Sequence, residues 1–208
     1  LGTPISSLMG WNEMLKMNYS NHDKVLDISD EISSDLTRLS KITKRFSKIG
    51  SKPELIDENP YEIIVNVINY FQRCLPQLGK NVLISIAGDK EQKVKLNVEL
   101  FEWVIENLIK NALDAIDNKE RKITFKVEHN RNKIEIEVTD NGKGIENNRK
   151  KDIFRPGYST KRRGWGLGLS LSKRIVEDYH NGKIFVKQSI INVGTTFKII
   201  LNSSEEIT

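Results

Sequence analysis

The sequence predicts an α+β protein: a helical hairpin, then a mostly antiparallel sheet covered on one face by helices. Three observations predict it. Val25, Ile28, Ile32, Leu39, Ile42, Phe46 and Ile49 recur at spacings of three, four or seven, the seam of a packed helix. The stretch "GSKPELIDENP" ends that period with Gly50, Pro53 and Pro60, which mark a boundary. Beyond it, "KITFKVEHNRNKIEIEVTD" alternates apolar and polar residues on both sides of a polar turn, as a β-hairpin does.

The elements follow in order. In "LGTPISSLMGWNEMLK", Thr3 reads locally as an N-cap and Pro4 as a first helical residue, where its missing amide proton costs nothing. "MNYSNHD" separates this helix from the second. A helix pair this short buries too little apolar surface to stand alone, so residues 1–50 are expected to pair with a second copy as a four-helix bundle. Residues 51–60 read as a linker and residues 61–208 as a second domain. Residues 61–78 form an amphipathic helix, with Ile64, Val67, Ile68, Phe71 and Leu75 on one face and Cys74 completing it. "VLISIAG" is a strand, residues 97–118 a long helix, and a third helix runs from Gly166 to His180, stopped by Asn181 and Gly182. Strands "KIFVKQSI" and "TTFKIIL" close the domain around a turn with Asn192 and Gly194, and the polar tail "NSSEEIT" frays.

Composition narrows the function classes. The 208 residues are 38% hydrophobic and 29% charged, enough for one ordinary core. No run reaches the roughly 18–20 apolar residues of a membrane span, and no secretory signal stands at the front, so no membrane contact by this stretch is expected. Cys74 has no second cysteine to pair with, and His22, His129 and His180 lie far apart, which argues for a reducing, cytoplasmic setting and against a structural zinc site. His22 reads as a loop residue, His129 as a hairpin-turn residue and His180 as a helix C-terminus, all at the surface. The net charge of +5 is mild, and the stripe Lys41, Lys44, Arg45 and Lys48 reads as a solvated helix face. No aromatic residues interleave it, so no nucleic acid is expected.

Three stretches carry chemistry. In "FEWVIENLIKNALDAI", Ile105, Leu108, Ile109, Ala112, Leu113 and Ile116 make an apolar stripe, while Asn107, Lys110, Asn111 and Asp114 gather opposite. Two asparagines one turn apart suit a hard cation that already holds phosphates and waters; a solvated helix face reads the same way. In "DNGKGI", Asp140 ends a strand, and Gly142 and Gly144 let the backbone approach a ligand closely. A carboxylate there can accept from an exocyclic amine such as adenine's, although "DNG" is also a plain tight turn. In "IFRPGYSTKRRGWGLGLSLSKRIVEDYH", Gly164, Gly166 and Gly168 open a helix beside Lys161, Arg162 and Arg163, a setting for anionic phosphates. Neither "GxxxxGK[ST]" nor a strand leading at once into "GxGxxG" is present.

Taken together these stretches resemble the core of a sensor histidine kinase. "ENLIKNALDA" resembles its N box, "DNGKGI" its G1 box, "IFRPGYSTK" its F box, "GWGLGL" its G2 box and "GTTF" a last, weaker glycine motif, in the family's order and over essentially the whole chain. The resemblance implies an α/β sandwich that binds ATP with Mg²⁺, behind a dimerisation and phosphotransfer hairpin. It implies Asn111 as the metal ligand, Asp140 as the adenine reader, and Asn107 supporting metal and phosphates. Lys110 and Asp114 would line the same site, with Gly142, Gly144, Ile145 and Thr195 around the base. Gly164, Gly166, Leu167, Gly168 and Leu169 would form the phosphate-side lid, with Thr160 and Lys161 as further lid contacts. Gly157 stands where the family often has an aromatic residue.

The resemblance also implies phosphoryl transfer to a His and onward to an Asp of a response regulator. Hydrolytic relatives carry a Glu one turn before the metal-binding Asn; here Asn107 holds that position, and Glu106 is rotated from it by about 100°. "LGTP" aligns with the end of an "HExxTP"-like motif, which puts the phosphoacceptor two positions before Leu1 and makes Pro4 a kink in a longer helix. Thr3 then takes the place at which the family positions water for phosphatase activity. The parent is expected in the cytoplasm, with anchorage in the inner membrane left open. A hydrolytic ATPase and a catalytically silent nucleotide-binding scaffold remain as alternatives.

Overall fold

The break at "MNYSNHD" is a short turn in the computed structural model. Helix α1 (Gly2–Asn18) stops, and α2 (His22–Ile49) packs back along it. The Asn21 side chain accepts from the Lys24 amide at 3.1 Å, so Asn21 caps α2. His22 is therefore the first residue of a helix rather than part of a loop. The structure describes residues 2–49, 53–74, 82–117, 120–159 and 166–204, with side chains except at 2–7, 34, 37–39, 41–49 and 74. Thr3 and Pro4 are already helical, not a cap and its first turn. The Thr3 side chain and the stripe Lys41, Lys44, Arg45 and Lys48 lie outside the described side chains. Among the others, Ile28 is buried, and Trp11 Nε1 donates to the buried Asp35 carboxylate at 3.3 Å. Met9, Leu26 and Leu36 stay exposed.

The chain divides into two compact units, Leu1–Lys52 and Pro53–Thr208. The second begins inside the stretch read as a linker. There β1 (Ile56–Glu58) pairs antiparallel with β3 (Val94–Leu96) as a small sheet. At three residues each, neither strand is long enough for alternation to reveal. Asn59 then caps α3 (Pro60–Cys74) by accepting from the Tyr61 amide at 2.9 Å. The continuation of that helix to residue 78, with Leu75 and the Cys74 side chain, lies outside the described residues.

The main sheet has the order β2 (Val82–Gly88), β4 (Arg121–Asn130), β5 (Lys133–Asp140), β7 (Gly194–Asn202), β6 (Lys183–Ile190). β2 and β4 run parallel, with α4 (Val98–Ala115) as their crossover, and the β4–β5, β5–β7 and β7–β6 pairs are antiparallel. Alternation divides each strand between two faces. Ile123, Phe125, Val127, Ile134, Ile136, Val138, Phe197, Ile199 and Leu201 are buried with the apolar sides of α3 and α4. The opposite face is polar, and Lys198 there lies 2.6 Å from Glu135 and 3.2 Å from Glu137. His129 sits within β4, paired with Ile134, and the turn is made by Arg131, at φ 57°, and Asn132.

The third helix is not a uniform α-helix to His180. α5 (Gly168–Arg174) gives way to a π turn over Ile175–Tyr179. The wider turn brings His180 round to the interior, where it is 5% exposed. The surface reading of His180 is thus overturned. Its Nδ1 lies 2.8 Å from the Ile175 carbonyl, and its Nε2 accepts from the Asn97 amide at 3.0 Å. That second bond fixes Nδ1 as the donor. Asn97 is also the N-cap of α4, its side chain accepting from the Leu100 amide at 3.2 Å.

Candidate nucleotide site

Asp140 is the last residue of β5 and is 6% exposed. Burial pushes its carboxyl pKa up, and backbone amides of Gly142 and Thr195 donating to it offset part of that rise. The Gly142 amide donates to Oδ1 at 2.8 Å. A Cβ on Gly142 would stand 2.7 Å from the Ala115 carbonyl oxygen and 2.8 Å from that carboxylate, so only glycine fits. The Lys143 amide donates to the same Ala115 carbonyl at 2.9 Å. The "DNGKGI" loop is thereby seated on the C-terminal end of α4, the helix that carries Asn107, Lys110, Asn111 and Asp114.

On its other side the loop is held by β6 and β7. Thr195 stands opposite Asp140 in the β5–β7 register and is buried. Its hydroxyl lies 2.9 Å from Ser189 Oγ, which also accepts from the Ile145 amide at 2.7 Å. Gly144, at φ 75°, passes so close to the Ile190 carbonyl that a Cβ would lie 2.3 Å from it. The Asn141 side chain ties the loop to β4, accepting from the Lys122 amide at 2.9 Å and donating to the Glu120 carbonyl at 2.7 Å. Asp140, Gly142, Gly144, Ile145 and Thr195 are therefore one cluster.

The described residues expected on the phosphate side form a second group around the middle of α4. Asn107 Nδ2 donates to Ser172 Oγ at 2.8 Å, and a Cβ on Gly168 would lie 2.5 Å from Asn107 Oδ1. The first turn of α5 thus rests on the Asn107 amide. Leu167 caps that turn with its carbonyl, which accepts from the Leu171 amide and the Ser170 hydroxyl, each at 2.9 Å. Leu169 packs half-buried against the core. Gly157, at φ 81°, donates its amide to the Gly166 carbonyl at 3.1 Å. The "RPG" stretch is thus joined to Gly166 by backbone, with no aromatic residue at position 157. Thr160, Lys161 and Gly164 lie outside the described residues.

The α4 residues are not all brought together. Asn111 is half-buried beside Asn107, while Asp114 is exposed. Lys110 turns to the other edge of the helix, 3.1 Å from Glu106 and 6.0 Å above the Phe71 ring of α3. Glu106 itself is therefore engaged in an ion pair. Among the described residues no group of three His, Cys, Asp or Glu lies together. The neutral amide oxygens of Asn107 and Asn111 fit Mg²⁺ that keeps phosphate and water ligands, not a cation caged by carboxylates.

Three participants escaped the sequence reading. Ser172 lies four residues before the buried Val176 and three before the buried Ile175, so a polar residue on the apolar face was the available signal. Asn141 carries only a turn signal in the sequence. Ser189 faces the interior because a bulge between Val186 and Gln188 shifts the alternation of β6, which no periodicity reveals.

Comparison with known proteins identifies the family. Residues 96–205 match the family described as histidine kinase-, DNA gyrase B-, and HSP90-like ATPase. The signal transduction histidine-protein kinase AtoS of Escherichia coli (strain K12) is 38% identical over 206 residues, covering 95% of this chain and 32% of that protein. Sporulation kinase C of Bacillus subtilis (strain 168) is 26% identical over 205 residues, 95% of this chain and 45% of its own length. The chain thus spans less than half of either relative. Among solved structures, the catalytic domain of histidine kinase ThkA superposes with a TM-score of 0.64 at 28% identity, covering 72% of this chain and 96% of that one. ThkA in complex with response regulator protein TrrA gives 0.64 at 25% identity over 97% of this chain and 58% of that one. Matched over more than half its length, this chain belongs to the histidine kinase-, DNA gyrase B- and HSP90-like ATPases, and among them to the sensor histidine kinases.

Proposed function

We propose that this chain is the ATP-binding core of a two-component sensor, which binds Mg-ATP and directs its γ-phosphoryl group to a His of the phosphotransfer hairpin. The observation that carries the reading is the buried Asp140 carboxylate, held by two backbone amides on the end of the helix that bears Asn107 and Asn111. An aspartate kept buried by such geometry accepts a hydrogen bond from the exocyclic amine of adenine and selects that base. Gly142, Gly144 and Ile145 shape the floor beneath the base, and Thr195 braces the aspartate from β7. Asn111 is the metal ligand and Asn107 its neighbour. When bound, Mg²⁺ supplies neutralisation of charge on the phosphates. Gly164, Gly166, Leu167, Gly168 and Leu169 cover the phosphates with backbone, and Thr160 and Lys161 add lid contacts. At position 107 an amide stands where a base is required to activate water, which favours transfer over hydrolysis.

The phosphoryl group passes on to an Asp of a response regulator docked on the hairpin; the ThkA–TrrA complex, named for such a regulator, supports this. The exposed Met9, Leu26 and Leu36 support a homodimer through residues 1–50, because an apolar helix face left in water favours association. Thr3 is assigned the phosphatase role, and the cytoplasm is the assigned location. No helix among the described residues is long and apolar enough to cross a membrane.

The test is incubation of the parent protein with labelled ATP and Mg²⁺. A phosphoprotein whose label is lost in acid, kept in base, and absent from Asn111→Ala is expected. Release of free phosphate without labelled protein would replace the kinase by an ATPase, and ATP binding with neither would leave a scaffold.

A further inference from the structure

We infer that Ser172 is a positioning residue that decides which end of the Asn107 amide faces the metal and phosphates, an assignment that rests on the Mg-ATP reading above. An asparagine amide carries a donor and an acceptor on atoms of nearly equal size, so its useful orientation has to be imposed from outside. Here Ser172 Oγ accepts from Asn107 Nδ2 at 2.8 Å, and Ser172 is only 2% exposed. With Nδ2 engaged, Oδ1 is the free end. The amide lies against the first residue of α5, where a Cβ added at Gly168 would meet Oδ1 at 2.5 Å and Nδ2 at 2.9 Å. With Nδ2 held by Ser172, Oδ1 is the end left to serve a cation or its bound water.

The same bond joins the helix that binds the metal to the helix that follows the lid. Beyond α5 and the π turn that follows it, His180 Nε2 accepts from the amide of Asn97, the N-cap of α4, at 3.0 Å. The segment from α5 to His180 is therefore tied to α4 at two places. Without the Ser172 hydroxyl, Asn107 is free to rotate and present its NH₂ group towards the metal, which a cation rejects.

The test compares Ser172→Thr, which keeps the hydroxyl, with Ser172→Val, which has the same shape without it. Calorimetry on the 208-residue chain measures the affinity for Mg-ATP and, in the presence of a chelator, for metal-free ADP. Loss of one net hydrogen bond corresponds to about a three- to tenfold weakening of Mg-ATP binding in the Val variant. Metal-free ADP binding is expected to stay unchanged, and the Thr variant to match the wild type. General loosening of the core would weaken both ligands in both variants and overturn the assignment. Equal Mg-ATP affinity of the Val and Thr variants would overturn it too. Ser172→Ala adds no bulk and serves the same comparison if the β-branched variants fail to fold. A wild-type chain that binds no Mg-ATP would overturn the nucleotide reading itself, a result distinct from tight wild-type binding indifferent to Ser172.

Discussion

Replacing Asp140 with Asn separates recognition from stability. The amide oxygen can keep the 2.8 Å bond from the Gly142 amide, so the loop retains one anchor. The charge is lost, and an NH₂ group replaces one carboxylate oxygen, so a donor meets the exocyclic amine of adenine. A hydrogen bond to a charged group is worth about 1.5–3 kcal/mol, which predicts Mg-ATP binding weakened roughly 10- to 150-fold. Guanine presents an acceptor where adenine has its amine, so preference for ATP over GTP should shrink as well. Stability behaves differently. Burial raises the Asp140 carboxyl pKa, so the folded chain holds its proton above the unfolded value near about 3.9. Folding then gains from this group below that value, and the gain is lost as pH rises through the raised folded pKa. At neutral pH the wild type already bears the cost of the buried charge. Asn removes it while leaving the Thr195 amide a poorer acceptor, two effects of opposite sign. A net change within about 1 kcal/mol moves Tm by no more than about 4 °C in a domain of this size. Calorimetric titration with Mg-ATP and Mg-GTP, beside thermal melts without nucleotide, measures both. Undiminished ATP affinity, or a loss that merely follows a collapse of Tm, would refute the reasoning.

Other substitutions test other contacts. His180 has its pKa lowered by burial, against a rise from its bond to Ile175, so its contribution is full above the unfolded value near about 6.5 and is lost as pH falls through the folded pKa. His180→Phe leaves the Asn97 amide without its acceptor, about 1–3 kcal/mol at neutral pH; denaturant melts should show that gap from wild type closing in acid. Gly168→Ala drives a Cβ to within 2.5 Å of Asn107 Oδ1, and urea melts should read about 1–3 kcal/mol of lost stability together with weaker Mg-ATP binding. Gly194→Ala combines φ 145° with a Cβ 1.9 Å from the Asp140 carbonyl, so it should cost more than the Gly168 variant and disturb Asp140 through the β5–β7 register; the same melts compare the two.

Much of this architecture was legible because it is local. The β4–β5 hairpin follows from strict alternation, and α4 follows from an apolar stripe with two asparagines one turn apart opposite it. The motifs around Asp140 and Gly168 were legible too, since close backbone approach excludes every side chain and leaves glycine as the trace. Failures occurred where a residue's partner is far away in the chain. His180 looked like a surface residue because the π turn that carries it inward, and the Asn97 amide that it accepts from, are invisible to helical periodicity. Lys110 shares a helix face with Asn107 by angle alone, yet Glu106 and Phe71 draw it to the other edge.

By itself, then, the sequence determined the two-part α+β plan, the order of the five main-sheet strands along the chain and the residue types that gather at the candidate site. Those properties depend on spacing and backbone freedom, which are written residue by residue. Only the tertiary structure decided that Asp140 is buried and braced by Thr195, that a bulge turns Ser189 inward, and that Ser172 grips Asn107. The first and last are contacts between segments dozens of residues apart, the bulge is a register shift between neighbouring strands, and the geometry of all three exists only once the core has packed and the sheet has set its register.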